Sequence, residues 1–413
     1  MYSTKSHLPR NIPTLLDVLG QYGIFDTLCR RLDTATLLSL RLVAKRLADH
    51  FTAHAKERWN VNRRLKNFVR NPQGLRAVLA RYNALISGSF VIQFFDDTFW
   101  KESDLDIYVE RESAAAFGTY LCQNEGYRFD RHSTEVNEYD FLGFSQVDTY
   151  LRGDMLQGDE TKIQVISTST VPVRCILGCF SSTAVINFMS WNTAYSLFPA
   201  MTFLEPRTQC RVSWIPDNED CIQSQIEKYS TRGWTDVTML FEGSRRVGDR
   251  HSWKVALDVK GVEPSHIPDF VLENCYFRVE NVAWLPREDA EHLRRTVAEE
   301  FTSEVLKYIY TAGGGTGEDF WRNLSMNARL HGLILDELWK LEPGMQPLCL
   351  THPTQWPEFD QLVYLERHNF MVDFIKPDTW NYYDEQVSTW REEWEGEMGL
   401  RGLEDQMAAV TMT

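Results

Sequence analysis

The stretch that decides the fold is Ala84–Glu110, ALISGSFVIQFFDDTFWKESDLDIYVE. It opens on a short apolar run, breaks at Gly88-Ser89, continues into an apolar segment, and closes on LDIYV, where carboxylate and apolar residues alternate. The pattern predicts a strand, a glycine turn that opens a helix, and a second strand over Leu105–Val109. Residues i and i+2 of a strand project from one face, so Asp104 and Asp106 can both reach one divalent cation while Leu105 and Ile107 enter the core. A glycine turn lets backbone N–H groups approach phosphate oxygens, and a helix N-terminus adds the positive end of its dipole. Hard oxygen ligands with open coordination positions suit Mg²⁺ bridged to the phosphates of a substrate.

Upstream, Pro72–Arg81 reads as a helix with proline in its first turn. SAAAFGTYLCQNEGY (113–127) follows as a helix and TKIQVIS (161–167) as a strand. VPVRCILGCF and SSTAVINFMSW (171–191) read as two helices joined by a turn, which would set Ser182, Thr183 and Asn187 near one end of a helix facing the cleft. A β-rich stretch is expected over Arg211–Val259, including WKVALDV, and a helix over Pro286–Tyr310. GGGTG at 313–317 reads as a flexible break, because it follows no clear strand and lacks the lysine of a P-loop. The tail DEQVSTWREEWEGEM is an acidic helix with Trp390 and Trp394 at i, i+4.

The order apolar-Gly88-Ser89, spacer, Asp104-x-Asp106 on a strand resembles the signature of the DNA polymerase β-like nucleotidyltransferase superfamily. The resemblance implies an α+β fold: a nucleotidyltransferase-like mixed sheet core with helices, a small N-terminal helical unit and a mixed C-terminal region. It implies that Gly88 and Ser89 hold a nucleoside triphosphate, that Asp104 and Asp106 hold the metal, and that Ser182, Thr183 and Asn187 contact the sugar or base. The family places a third carboxylate on a later strand. Here the matching strand is KIQVI, with Gln164 at its centre, and glutamine can neither act as a base nor compete with carboxylates for Mg²⁺. Glu110, Asp154, Asp159 and Glu160 are the nearby acids that can substitute, with Glu110 placed among the catalytic candidates.

The second half of the N-terminal segment, LDTATLLSLRLVAKRLADHF (32–51), resembles an F-box, which implies docking to a Skp1-type adaptor. A structural helical hairpin fits the same residues. The domain division expected is 1–55 F-box-like, 56–205 nucleotidyltransferase-like, 206–285 β-rich and 286–413 helical.

Bulk composition narrows the partners. With 43% hydrophobic and 24% charged residues in 413, the chain reads as globular, and no run of about 18 apolar residues suggests a membrane span. The eight cysteines are scattered, and buried free thiols in a reducing compartment, with a cytoplasmic location, are the expectation. The net charge of −15 argues against bulk affinity for nucleic acid. Its distribution is uneven: residues 1–81 carry 15 Lys+Arg against 5 Asp+Glu, and eight of those cations fall within Lys56–Arg81. That segment is either a solvated helix face or a phosphate-binding surface beside the site.

Three functions fit these residues. The first is a nucleotidyltransferase-fold transferase acting on a phosphate-bearing or tRNA-linked substrate. The second rests on a resemblance of overall size and type to fungal tRNA-dependent synthases of arginine-containing cyclodipeptides, enzymes of secondary metabolism. There aminoacyl-tRNA would be the substrate, and Asp104, Asp106 and Glu110 would hold a cationic amine or guanidinium without a second metal. The third is a non-catalytic F-box adaptor with a degenerate nucleotidyltransferase domain.

Overall fold

The computed structural model describes residues 13–43, 45–133, 144–153, 160–180, 182–205, 207–208, 227–236, 243–281, 294–314, 319–346 and 374–398. Six helices come first: α1 (Leu15–Leu19), α2 (Tyr22–Cys29), α3 (Thr34–Val43), α4 (Ala48–Arg58), α5 (Val61–Leu65) and α6 (Pro72–Arg81). The core then runs β1 (Leu85–Ser87), α7 (Ser89–Asp96), β2 (Leu105–Glu110), α8 (Arg111–Glu125), β3 (Arg128–Ser133), β4 (Phe144–Arg152) and β5 (Thr161–Thr168). It continues through α9 (Pro172–Cys179), β6 (Asn187–Met189) and β7 (Thr193–Ser196). Beyond it lie β8 (Arg207–Thr208), β9 (Thr235–Asp236), β10 (Gly243–Arg246), β11 (Trp253–Ala256), α10 (Asp269–Glu273) and β12 (Tyr276–Asn281). β13 (Arg294–Val297), β14 (Glu299–Phe301), β15 (Tyr310–Ala312), α11 (Phe320–Met326), α12 (Arg329–Trp339) and α13 (Val387–Glu397) complete the series.

The fold is α+β, built on a mixed eight-stranded sheet in the order β11-β7-β6-β1-β2-β5-β4-β3. β1 and β2 are antiparallel, whereas β2 and β5 are parallel, with Asp106 opposite Gln164 and Ile107 opposite Val165. The two faces bury different sets of side chains. Ile86, Ile107, Val109, Ile163 and Val165 pack with α7 and α8 in one cluster, and Leu85, Tyr108, Ile166 and Phe188 pack with α9 in another.

Local chemistry explains the elements that position the site. α6 begins where the Asn71 side chain accepts a hydrogen bond from Gly74 N at 3.0 Å and Pro72 presets the first turn. α7 begins at Gly88, whose φ of +74° needs glycine, and ends on Asp97 in the left-handed region. α8 ends on Gly126, again at positive φ.

The N-terminal helices are built into the core. Leu19, Phe25, Cys29 and Leu37 belong to the same apolar cluster as α7, and Thr34 Oγ1 and Trp59 Nε1 both donate to the Phe95 carbonyl at 3.1 Å. β11, within the stretch read as a separate β-rich region, is the edge strand of the core sheet. The β10-β12-β13 sheet runs across residue 285. Downstream, Tyr310, Trp321, Leu338, Trp390 and Trp394 form a third core, and the acidic tail helix is present as α13 with both tryptophans buried.

Three expectations change. SSTAVINFMSW is not a helix: Thr183–Val185 form one 3₁₀ turn and Asn187–Met189 a strand, because the run pairs with β1 on one side and β7 on the other. The described part of Pro286–Tyr310 is β13, β14 and connecting chain, with Glu280 of β12 and Arg295 of β13 paired across the strands. In the basic segment, Arg58, Arg64 and Arg76 turn inward. Arg58 and Arg64 meet Asp97, and Arg76, at 1% exposure, donates to the Trp191 and Asp258 carbonyls. Part of the positive stripe therefore holds helices together, and Lys56, Arg63, Lys66, Arg70 and Arg81 remain exposed.

Among the described residues no helix is long and apolar enough to cross a membrane. Cys29, Cys175 and Cys275 are buried free thiols and Cys122 is an exposed one, while Cys210, Cys221 and Cys349 lie outside the described residues.

Candidate functional site

The site forms at the end of the sheet where β1 stops and β2 starts. Gly88 and Asp106 meet there directly: a methyl group built on Gly88 would overlap Asp106 Oδ2. Only a residue without Cβ lets the carboxylate lie against the first turn of α7, close to that helix's unpaired N–H groups. Ser89, the first residue of α7, shares a 2.7 Å hydrogen bond with the Ser103 hydroxyl. Gln93 Nε2 donates to Ser103 Oγ at 2.7 Å and Trp100 N donates to Gln93 Oε1 at 2.6 Å. This chain of polar groups straps the 97–104 connection onto α7 and sets the approach of Asp104 to the sheet.

On the next strand, the β2–β5 register extended by one residue aligns Lys162 with Asp104. Lys162 Nζ lies 2.7 Å from Asp104 Oδ2, an ion pair about one-third exposed on both sides. Period-two alternation puts Lys162 and Gln164 on the same face as Asp104 and Asp106. Lys228, from the 227–236 segment, adds a second positive charge that acts on Asp106. That segment is anchored by Trp234 Nε1, which donates to the Thr202 carbonyl, and by Arg232, whose guanidinium stacks 4.0 Å over the Trp100 ring.

Asp106 is half-buried, and among the described residues no donor hydrogen-bonds its carboxylate. Enclosure by protein pushes its carboxyl up to about 7. Asp104 adds to the rise, and Lys228 and Lys162 oppose it. The arrangement is two carboxylates and two ammonium groups beside a helix N-terminus. It can bind an anion through the lysines while Asp106 stays open to an incoming donor.

The other expected site residues fall elsewhere. Glu110 lies four residues beyond Asp106 on β2, about 13 Å away at strand rise, where burial and then Glu112 and Glu300 push its carboxyl up. It does not join the cluster. Ser182, Thr183 and Asn187 are buried and belong to the fold, with Ser182 Oγ accepting from Ala184 N at the start of the 3₁₀ turn. Asn187 Nδ2 donates to the Ala184 carbonyl and the Asn187 carbonyl accepts from Ser87 Oγ at 2.6 Å. That bond braces β1 one residue before Gly88, so Asn187 supports the turn from beneath. Glu160 is ion-paired to Arg128, and Asp154 and Asp159 lie outside the described residues.

A two-metal site of the kind the superfamily implies does not fit this donor set. Asp104 already has an ammonium partner, Gln164 fills the third-acid position, and no group of three His, Cys, Asp or Glu side chains able to hold a metal occurs among the described residues. Lys162, Lys228 and Ser103 are the residues that sequence reasoning missed. The period-two relation to Gln164 was a usable signal for Lys162. Compared with known proteins, the chain matches no family model, no curated protein and no solved structure.

Proposed function

We propose that this protein is a nucleotidyltransferase-fold transferase that acts on a phosphate-bearing substrate, a nucleotide or the phosphate-rich body of a tRNA. The observation that carries the reading is the contact of Gly88 with Asp106 at the start of α7, with Lys162 and Lys228 beside it. In this reading the lysines and the α7 N-terminus take the phosphates, Asp104 holds Lys162 in place, and Asp106 accepts a hydrogen bond from the attacking hydroxyl or amine. A tRNA-linked aminoacyl transfer, including cyclodipeptide synthesis, is the form of this reading that needs no metal. The test is metabolite profiling of a fungal or yeast host expressing wild type or the Asp104→Ala/Asp106→Ala variant at matched soluble levels. A new small molecule present only with wild type supports the reading, and a cyclic dipeptide would identify the product. Identical profiles, together with no nucleotide binding by the purified protein, would contradict it.

A second reading, adaptor docking, is favoured by one observation. Leu15, Tyr22, Ile24 and Leu28 expose their apolar side chains on α1 and α2, with Leu15 72% exposed, although these helices are otherwise anchored in the core. Binding of a purified Skp1-type protein that is abolished by Leu28→Asp would support it. Absence of binding would remove it.

A further inference from the structure

We infer that Lys162 is a tethered cation standing in for a divalent metal, so that the site binds a polyphosphate without Mg²⁺. This deepens the phosphate reading above and rests on it. In the parallel β2–β5 pair, Gln164 lies opposite Asp106, where a third carboxylate would complete a metal site, and Lys162 lies one pleat away on the same face. Its ammonium is 2.7 Å from Asp104 Oδ2, within the space that a cation shared by Asp104 and a phosphate would use.

A lysine ammonium carries three donors. One serves Asp104 and two remain for phosphate oxygens arriving over Gly88. Lys228 supplies the second charge, and the stacking of Arg232 on Trp100 anchors the 227–236 segment that carries it. Lys162 pairs with Asp104 and Lys228 acts on Asp106, so positive charge already faces both carboxylates before any ligand arrives. A Mg²⁺ ion entering this site would have to displace Lys162 from Asp104 and would find a glutamine in place of its third carboxylate. The polyphosphate in turn would lose the direct contact that Lys162 offers.

The experiment is calorimetric titration of the full chain with ATP in excess EDTA and again in millimolar MgCl₂. The expected result is an affinity in EDTA within about twofold of that in MgCl₂, or tighter. Lys162→Arg should keep metal-free binding. Lys162→Gln/Gln164→Asp, which removes the tethered cation and supplies the third acid, should lose at least about tenfold in EDTA and regain affinity with MgCl₂. A wild-type affinity that falls about tenfold or more in EDTA would overturn the inference and leave the phosphate reading standing. Metal-free binding unchanged in the double variant would overturn the assignment to Lys162. No ATP binding in either buffer would remove the inference together with the reading beneath it.

Discussion

Asp384 is a buried carboxylate and Asp106 a half-buried one, and their surroundings treat them in opposite ways. Asp384 is 5% exposed and accepts from Lys307 N at 2.7 Å, Tyr308 N at 3.3 Å and Tyr310 Oη at 2.9 Å. Asp319 likewise accepts from Gly313 N, Trp321 N and Arg322 N. Glu337 takes Lys340, Asn381 and Tyr383. These acids stitch the C-terminal core, and their lone pairs are spoken for. Among the described residues Asp106 has no such donors, and its companion Asp104 has the partly exposed ammonium of Lys162. Buried polar groups in folded proteins are nearly always hydrogen-bonded. A half-buried carboxylate that is partly desolvated and has no donor is a cost to the fold, of the kind retained where a ligand completes the set.

Mutation separates the two kinds of carboxylate, most strongly at Asp384. Asp384→Ala strands two backbone N–H groups and a buried phenol, and should cost about 4 kcal/mol in urea unfolding. A loss below about 1 kcal/mol would dissolve the distinction between the two sets.

Glu337 gives the next largest effect and a pH signature. Burial alone would raise its carboxyl, but hydrogen bonds from Lys340, Tyr383 and Asn381 outweigh that and hold it down to about 2, against an ordinary 4.5. The stabilisation is complete above the unfolded-state value and is lost as pH falls from 4.5 toward 2, on the order of 3 kcal/mol in all. Glu337→Gln should lower stability at neutral pH and flatten the acid limb in that window. An acid limb as steep as that of wild type would show that other carboxylates carry it.

At the site, Gly88→Ala sharpens the contrast from the other direction. The strain of φ +74° and the overlap with Asp106 Oδ2 should together cost about 2 kcal/mol and weaken ATP binding about tenfold. Wild-type stability and affinity in that variant would show that the glycine contact sets neither.

The smallest effect on stability belongs to Asp106→Asn. With no donor lost and a desolvated charge removed, the unfolding free energy should stay within about 0.5 kcal/mol of wild type or rise. A loss of about 2 kcal/mol or more would make Asp106 a structural acid.

What the sequence disclosed followed from range. The strand–Gly88–helix–strand order and the Pro72–Arg81 helix depend on caps, turns and periodicity within a few residues, and both are present as read. Lys162 was in plain view, but its bearing on Asp104 depends on which strands become neighbours, 58 positions apart in sequence. Lys228 comes from further still. The misread elements fail for a related reason. SSTAVINFMSW is a short apolar run, for which helix and buried strand look alike until β1 pairs with it. HLRRTVAEEF is rich in helix formers, yet Arg294–Val297 extends because β12 offers an edge and Glu280 a partner for Arg295. The inward turn of Arg58, Arg64 and Arg76 was equally hidden, since charge counts do not tell a solvated arginine from one that ties helices together.

In the reading proposed above, the charges at the β1–β2 end of the sheet serve a ligand and not the fold. The most direct test pairs two readouts on one variant, Lys162→Met/Lys228→Met: ATP affinity in EDTA and unfolding free energy in urea. The expected result is an affinity at least about tenfold weaker with stability within about 1 kcal/mol of wild type, because an ion pair about one-third exposed on both sides contributes little to folding. Unchanged ATP affinity accompanied by a loss of stability of several kcal/mol would contradict it, and would place these lysines with Asp384 among the groups that hold the molecule together.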